Sequence, residues 1–215
     1  MRVCSSGTTS VLLALMACWT VALQPASAAT VADDSRPAMP VIKAATQRGE
    51  VYLLRGFADV FSRGLDEMAE NLGADGVDAH VVSHVQWRMV LRDILSDREQ
   101  FGPRPIVLVG HSLGANAAIQ VAEELRKRRI AVQYLVTLAA TAPDPVPSNV
   151  MRADNFYFRT NGWGEPLVPA AGFTGSLRNL DFSDADGVGH FNIDKQPAVQ
   201  RELLANIEFY ARSGK

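Results

Sequence analysis

From about residue 50 onward, short apolar runs alternate with stretches in which apolar residues return every three or four positions. The runs are Val51-Tyr52-Leu53-Leu54, 79–82, Ile106-Val107-Leu108-Val109, 132–138, 155–159 and 179–182, and their length and β-branched content predict strands. Between them, Phe61, Leu65, Met68 and Leu72 predict a helix over 61–72, capped by Ser62 and closed at Gly73 before an Asp75-Gly76 turn. Trp87, Val90, Leu91, Ile94 and Leu95 stripe a second helix over 86–100, with Trp87 in the core. A third follows Gly114. A last helix starts at Pro197 and buries Val199, Leu203, Ile207 and Tyr210. Such alternation predicts a three-layer α/β/α sandwich on a mostly parallel sheet of about six strands, joined by right-handed crossovers. No long apolar insertion is present to build a separate cap domain.

The pattern fails before residue 49. Arg2, an uncharged apolar stretch over 11–23 and the small-x-small site Ala26-Ser27-Ala28 are the parts of a signal peptide over 1–28. Cleavage before Ala29 sends the chain to a secreted or periplasmic location, with no membrane span in the mature form. An alternative is lipoprotein processing at Leu15-Met16-Ala17-Cys18, which would anchor the chain through Cys18. Residues 29–48 mix prolines, alanines and charges without a period and read as a flexible lead-in to a domain over 49–215. Both cysteines, Cys4 and Cys18, precede the cleavage site, so cysteine catalysis, thiolate metal sites and a disulfide framework are excluded from the mature chain. With 47% apolar and 20% charged residues, the domain stabilises itself by an ordinary core, and a monomer is expected. A net charge of −2 argues against a nucleic-acid partner. The cluster Arg126-Lys127-Arg128-Arg129 falls where cations suit a helix C-terminus.

Candidate chemistry centres on Gly110-His111-Ser112-Leu113-Gly114, set between a buried strand and a strong helix former. This is the Gly-x-Ser-x-Gly nucleophile elbow, which holds a serine hydroxyl at the tip of a strained turn. Serine needs a base, and the chain has four histidines. His80 and His84 precede the elbow; their spacing would suit a metal only on a helix, and neighbouring valines imply extended chain. His111 adjoins Ser112, but its side chain should point away from the nucleophile's face. His190 remains, in the glycine-rich stretch Gly187-Val188-Gly189-His190-Phe191.

The elbow, with an acid and a histidine after it, resembles the α/β-hydrolases, in particular their small, nearly lidless lipase, esterase and thioesterase-like members. The resemblance runs from Glu50 to the C-terminus. It implies the chain order Ser, acid, His, hence Ser112 as nucleophile, His190 as base and Asp144, after the 132–138 strand, as the orienting acid. Glu165 is the alternative acid; Asp181, Asp184 and Asp186 are near His190 in sequence but sit on the last strand and its loop. The resemblance also implies an oxyanion hole from the backbone N–H groups of Leu113 and of Phe57, with Ala58 as the alternative. Many relatives carry histidine where this chain has Arg55. The first and third strands should be neighbours, with the second outside the first. Implied activity is hydrolysis of a small-molecule or lipid acyl ester through an acyl-enzyme, without metal or organic cofactor. A thioesterase, an acyltransferase or a non-catalytic binding protein on the same scaffold are the alternatives. The segment 163–173 is the candidate for a short loop over the site.

Overall fold

The computed structural model of the protein describes residues 49–160 and 163–213, so the signal peptide expected over 1–28, Cys18 and the lead-in expected over 29–48 lie outside the described residues. Six strands form one sheet: β1 (Glu50–Arg55), β2 (Ala79–Ser83), β3 (Ile106–His111), β4 (Tyr134–Leu138), β5 (Arg152–Tyr157) and β6 (Ser176–Asp181). All pairings are parallel, in the order β2-β1-β3-β4-β5-β6. Four helices cover it: α1 (Gly64–Ala74), α2 (Trp87–Phe101), α3 (Leu113–Lys127) and α4 (Pro197–Arg212).

The pleat of β1 explains the three layers. Val51 and Leu53 point to one face, into a core with Leu65, Met68 and Leu72 of α1 and Leu203 and Ile207 of α4. Tyr52 and Leu54 point to the other, into a core with Val90, Leu91 and Ile94 of α2 and Ala118, Ile119 and Ala122 of α3. Trp87 packs at the edge of this second core. Strand order reverses between β1 and β3, which opens the loops after both strands side by side at the carboxyl end of the sheet, the place where such sheets bind ligands.

Three elements depart from the sequence pattern. The first helix begins at Gly64, not residue 61, because its capping group comes from far along the chain: Asp194 Oδ2 accepts the Gly64 N–H at 2.8 Å. Phe61 is therefore 45% exposed, and Ser62 is buried without capping the helix. Strand β5 runs over Arg152–Tyr157 instead of 155–159, since Asp154 is buried only by accepting the Tyr134 hydroxyl at 2.7 Å and facing the guanidinium groups of Arg152 and Arg178. Strand β6 begins at Ser176, three residues before the apolar run, because its polar residues lie at a sheet edge. The basic cluster that ends α3 is tied to it by ion pairs to Glu123 and Glu124.

At the opposite end of the sheet, burial and Asp97 raise the Glu50 carboxyl to about 7, against the pull of Arg104. A folded-state value above the unfolded one means that the folded chain holds this proton more tightly. The resulting stabilisation is complete below about pH 4.5 and is lost as pH rises through 7, on the order of 3 kcal/mol. Glu50→Gln should remove this loss: its melting temperature should match wild type at pH 4 and exceed it at pH 8. Equal melting temperatures at both pH values would contradict the assignment.

Candidate active site

Strand β3 is buried along its whole length and delivers the chain into a turn at Ser112, whose φ of 58° and ψ of −123° are strained for a residue with a side chain. Such a conformation costs about 1–3 kcal/mol and persists because its surroundings enforce it. The Ser112 N–H donates to the Leu138 carbonyl at 2.8 Å, fixing the turn to the end of β4. The flanking glycines let the backbones meet: a Cβ on Gly114 would lie 1.9 Å from the Leu54 carbonyl oxygen, and one on Gly110 would lie 2.2 Å from that of Gly114.

Ser112 Oγ and His190 Nε2 are 3.0 Å apart. The His190 loop is held by Asn192, whose side chain accepts the Gly189 N–H and donates to the Gly187 carbonyl. Both residues are nearly buried, at the floor of a cleft of about 480 Å³. Phe57, Phe61, Leu113, Trp163 and Phe191 line it, so its walls are apolar and aromatic while its floor is polar. Trp163 and Phe191 pack on the His190 ring at 5.0 and 4.9 Å. Burial lowers the His190 pKa from its ordinary value, helped by His111, while the Trp163 backbone and Asp194 work the other way. A base must be neutral to accept a proton, so the acid limb of kcat/KM should have its midpoint below the ordinary imidazole value of about 6.5. A midpoint above 7 in a p-nitrophenyl ester assay would contradict this.

The loop after β1 runs directly against the nucleophile, since a Cβ on Gly56 would lie 2.9 Å from Ser112 Cβ. Phe57 opens the 3-10 turn Phe57–Asp59 and Leu113 opens α3. Among the described residues neither N–H has a main-chain partner, and both residues line the cleft. Arg55, the last residue of β1, pairs with Asp66 in the first turn of α1, and this ion pair anchors the strand end from which the loop departs.

The acid is where the structure departs most from the sequence reading. Asp144 is exposed and lines a separate cleft beside Glu123 and Arg126. Glu123 is eleven residues beyond Ser112, about 16 Å along the helix, so Asp144 is not brought to His190. The cause is local: Asn116, in the first turn of α3, bonds Thr141 and Ala142 and leads the chain outward along that helix. The two positions that directly follow β4 are Ala139 and Ala140, which carry no acid. Glu165 is exposed; its main chain is tied to Ala140 and Asn155. His190 Nδ1 is buried, and no side chain among the described residues hydrogen-bonds it.

Two amides on the sheet, buried Asn155 and exposed Asn179, position the segment that carries Trp163. Asn155 accepts the Thr137 hydroxyl and donates to the Glu165 carbonyl and the Asn179 side chain, while Asn179 pairs with both main-chain groups of Leu167. His80 stacks on Tyr52, and His84 donates from Nδ1 to the Gly56 carbonyl. Among the described residues no group of three or more His, Cys, Asp or Glu could hold a metal ion, and no helix is long and apolar enough to cross a membrane. His111, expected to face away, is buried in the cleft wall and bonded to Ser62 and to the His190 carbonyl. No local pattern marks either partner, because Ser62 lies 49 residues from His111 and His190 lies 79.

Residues 86–156 match the thioesterase-domain family. A solved structure from Xanthomonas campestris pv. campestris, assigned to the alpha/beta hydrolase superfamily, is 21% identical, with 75% of this chain and 99% of that chain covered and a TM-score of 0.44. No curated protein matches the chain.

Proposed function

We propose that this chain is an α/β-hydrolase, on its sheet order, its elbow and its thioesterase-domain segment, and a serine hydrolase of acyl esters or thioesters. One observation carries the reading: a serine in a strained φ-positive turn stands 3.0 Å from a buried imidazole at the floor of an apolar cleft. Ser112 Oγ attacks the acyl carbonyl while His190 Nε2 takes its proton and returns it to the leaving group. The N–H groups of Phe57 and Leu113 receive the negative oxygen. Water, activated by the same imidazole, then breaks the acyl-enzyme ester and regenerates Ser112.

The imidazole is held by ring packing against Trp163, Phe191 and His111, by the Trp163 main chain and by its own loop, and among the described residues no carboxylate hydrogen-bonds it. Asp144→Asn should leave kcat/KM within about threefold of wild type, whereas loss of an orienting acid costs orders of magnitude. The aromatic walls suit an aliphatic acyl group. Export of the mature protein is supported by the signal-peptide pattern over 1–28. The test compares p-nitrophenyl acetate, butyrate and octanoate with the matching acyl thioesters. Rising kcat/KM from acetate to octanoate supports the reading, and a preference for thioesters at equal chain length selects the thioesterase alternative that the matched family favours. No Ser112-dependent turnover of either series would contradict it.

A further inference from the structure

The proposed reaction does not use His111, yet this imidazole is almost fully buried, 1% exposed, and both of its ring nitrogens are committed. Nε2 lies 2.7 Å from the main-chain oxygen of His190, which can only accept, so Nε2 carries a proton. Nδ1 lies 2.8 Å from Ser62 Oγ. That hydroxyl already accepts the Gly56 N–H at 2.9 Å and is free to donate to Nδ1. Burial lowers the His111 pKa, which keeps the ring neutral and Nδ1 an acceptor. The direction of every bond is thereby fixed: Gly56 N–H to Ser62 Oγ, Ser62 O–H to His111 Nδ1, and His111 Nε2–H to the His190 carbonyl.

The ends of this chain are the two loops that the reaction must hold in register. One end is the residue before Phe57, and the other is the main chain of the base. His84 completes the arrangement on the opposite side of Gly56 by donating from Nδ1 to its carbonyl at 3.2 Å. In a trans peptide the C=O of Gly56 and the N–H of Phe57 point in opposite directions. Fixing that carbonyl toward His84 therefore aims the Phe57 N–H away from it. The Gly56 N–H lies in the preceding peptide plane and is held by Ser62, so both planes that meet at the Gly56 Cα are fixed.

We propose that His111, acting through Ser62, is a positioning residue that locks Gly56, the residue before the oxyanion donor Phe57, and the His190 loop to one another across the nucleophile elbow. It touches neither substrate nor reacting atoms. A displacement of about 1 Å in such groups costs up to about 100-fold in rate, so the device should act on kcat and not on substrate binding.

This inference rests on the serine-hydrolase reading, and the experiment separates the two. Hydrolysis of p-nitrophenyl butyrate is measured for wild type, Ser112→Ala, His111→Phe, His111→Gln and Ser62→Ala, each checked for a cooperative melting transition. Ser112-dependent turnover by wild type establishes the reading. His111→Phe keeps an aromatic ring, a slightly larger one, and loses both hydrogen bonds; Ser62→Ala loses the link to Gly56; Gln presents an acceptor and a donor at a spacing close to that of the two ring nitrogens. The expected result is a fall of about 10- to 100-fold in kcat, with KM within twofold, for His111→Phe and Ser62→Ala. His111→Gln should recover most of it. Wild-type kcat in Ser62→Ala and His111→Gln together with His111→Phe, or losses that appear in KM alone, would overturn the proposal while leaving the serine-hydrolase reading intact. If His111→Phe does not fold, Ser62→Ala alone decides: an unchanged kcat there overturns it. A wild type with no Ser112-dependent turnover overturns the underlying reading, and the positioning role with it.

Discussion

Ser112→Ala should reduce kcat for acyl-ester hydrolysis by at least about 10⁴-fold, and His190→Ala should do nearly the same. The two residues act as one unit through a 3.0 Å contact, so the double variant should be no worse than the more damaged single variant within about threefold. Independent contributions would multiply instead, and a double variant slower than either single by a further 10³-fold would contradict the pairing. Stability should move the other way. The strained φ of 58° at Ser112 is easiest for glycine, so Ser112→Gly should melt above Ser112→Ala while being equally inactive. A lower melting temperature for the glycine variant would mean that the turn is not strained in solution.

A second large effect is structural. Gly114→Ala places a methyl group 1.9 Å from the Leu54 carbonyl oxygen, against the backbone of Leu54 and Arg55, where nothing flexible can yield. The first turn of α3 must then lift from β1, at a cost of about 3 kcal/mol or more. For a domain of this size that is a fall of roughly 6–12 °C in melting temperature, and the elbow should lose activity with it. Gly73, inside α1, is the control, because a Cβ there meets nothing within 4 Å and its φ is not positive. Gly73→Ala should stabilise by about 0.5–1 kcal/mol through helix propensity. Opposite signs for one chemical change would confirm that close approach, and not glycine content, governs the elbow. Equal small effects at both sites would refute the tight contact.

What the sequence makes legible here is what local physics encodes. The strand and helix periods give the layers, and the elbow is visible because a buried β-branched run, two glycines and a helix former must be contiguous to build it. His190 is legible for a similar reason, since few histidines are present and one lies in a glycine-rich loop before the last helix. Long-range partnerships are not encoded this way. The start of α1 is set by Asp194, 130 residues away, so the apolar spacing of Phe61 and Leu65 overstated the helix. Elbow geometry turns the His111 side chain away from the nucleophile's face but does not say what it meets there, since its partners come from residues 62 and 190. Asp144 fits an acid's place in chain order, but the bonds from Asn116 to the following loop carry it away along α3. Arg55, unusual for its position, is accounted for by Asp66, which the sequence places eleven residues on without marking the pair.

The central claim is that Ser112 is an activated nucleophile facing an oxyanion site. Its most direct test is intact-mass measurement of the purified mature protein after exposure to a fluorophosphonate, beside Ser112→Ala and His190→Ala. A single phosphonyl adduct on wild type, absent from Ser112→Ala and formed far more slowly on His190→Ala, is the predicted result. No adduct on wild type, or one that persists in Ser112→Ala, would contradict the account.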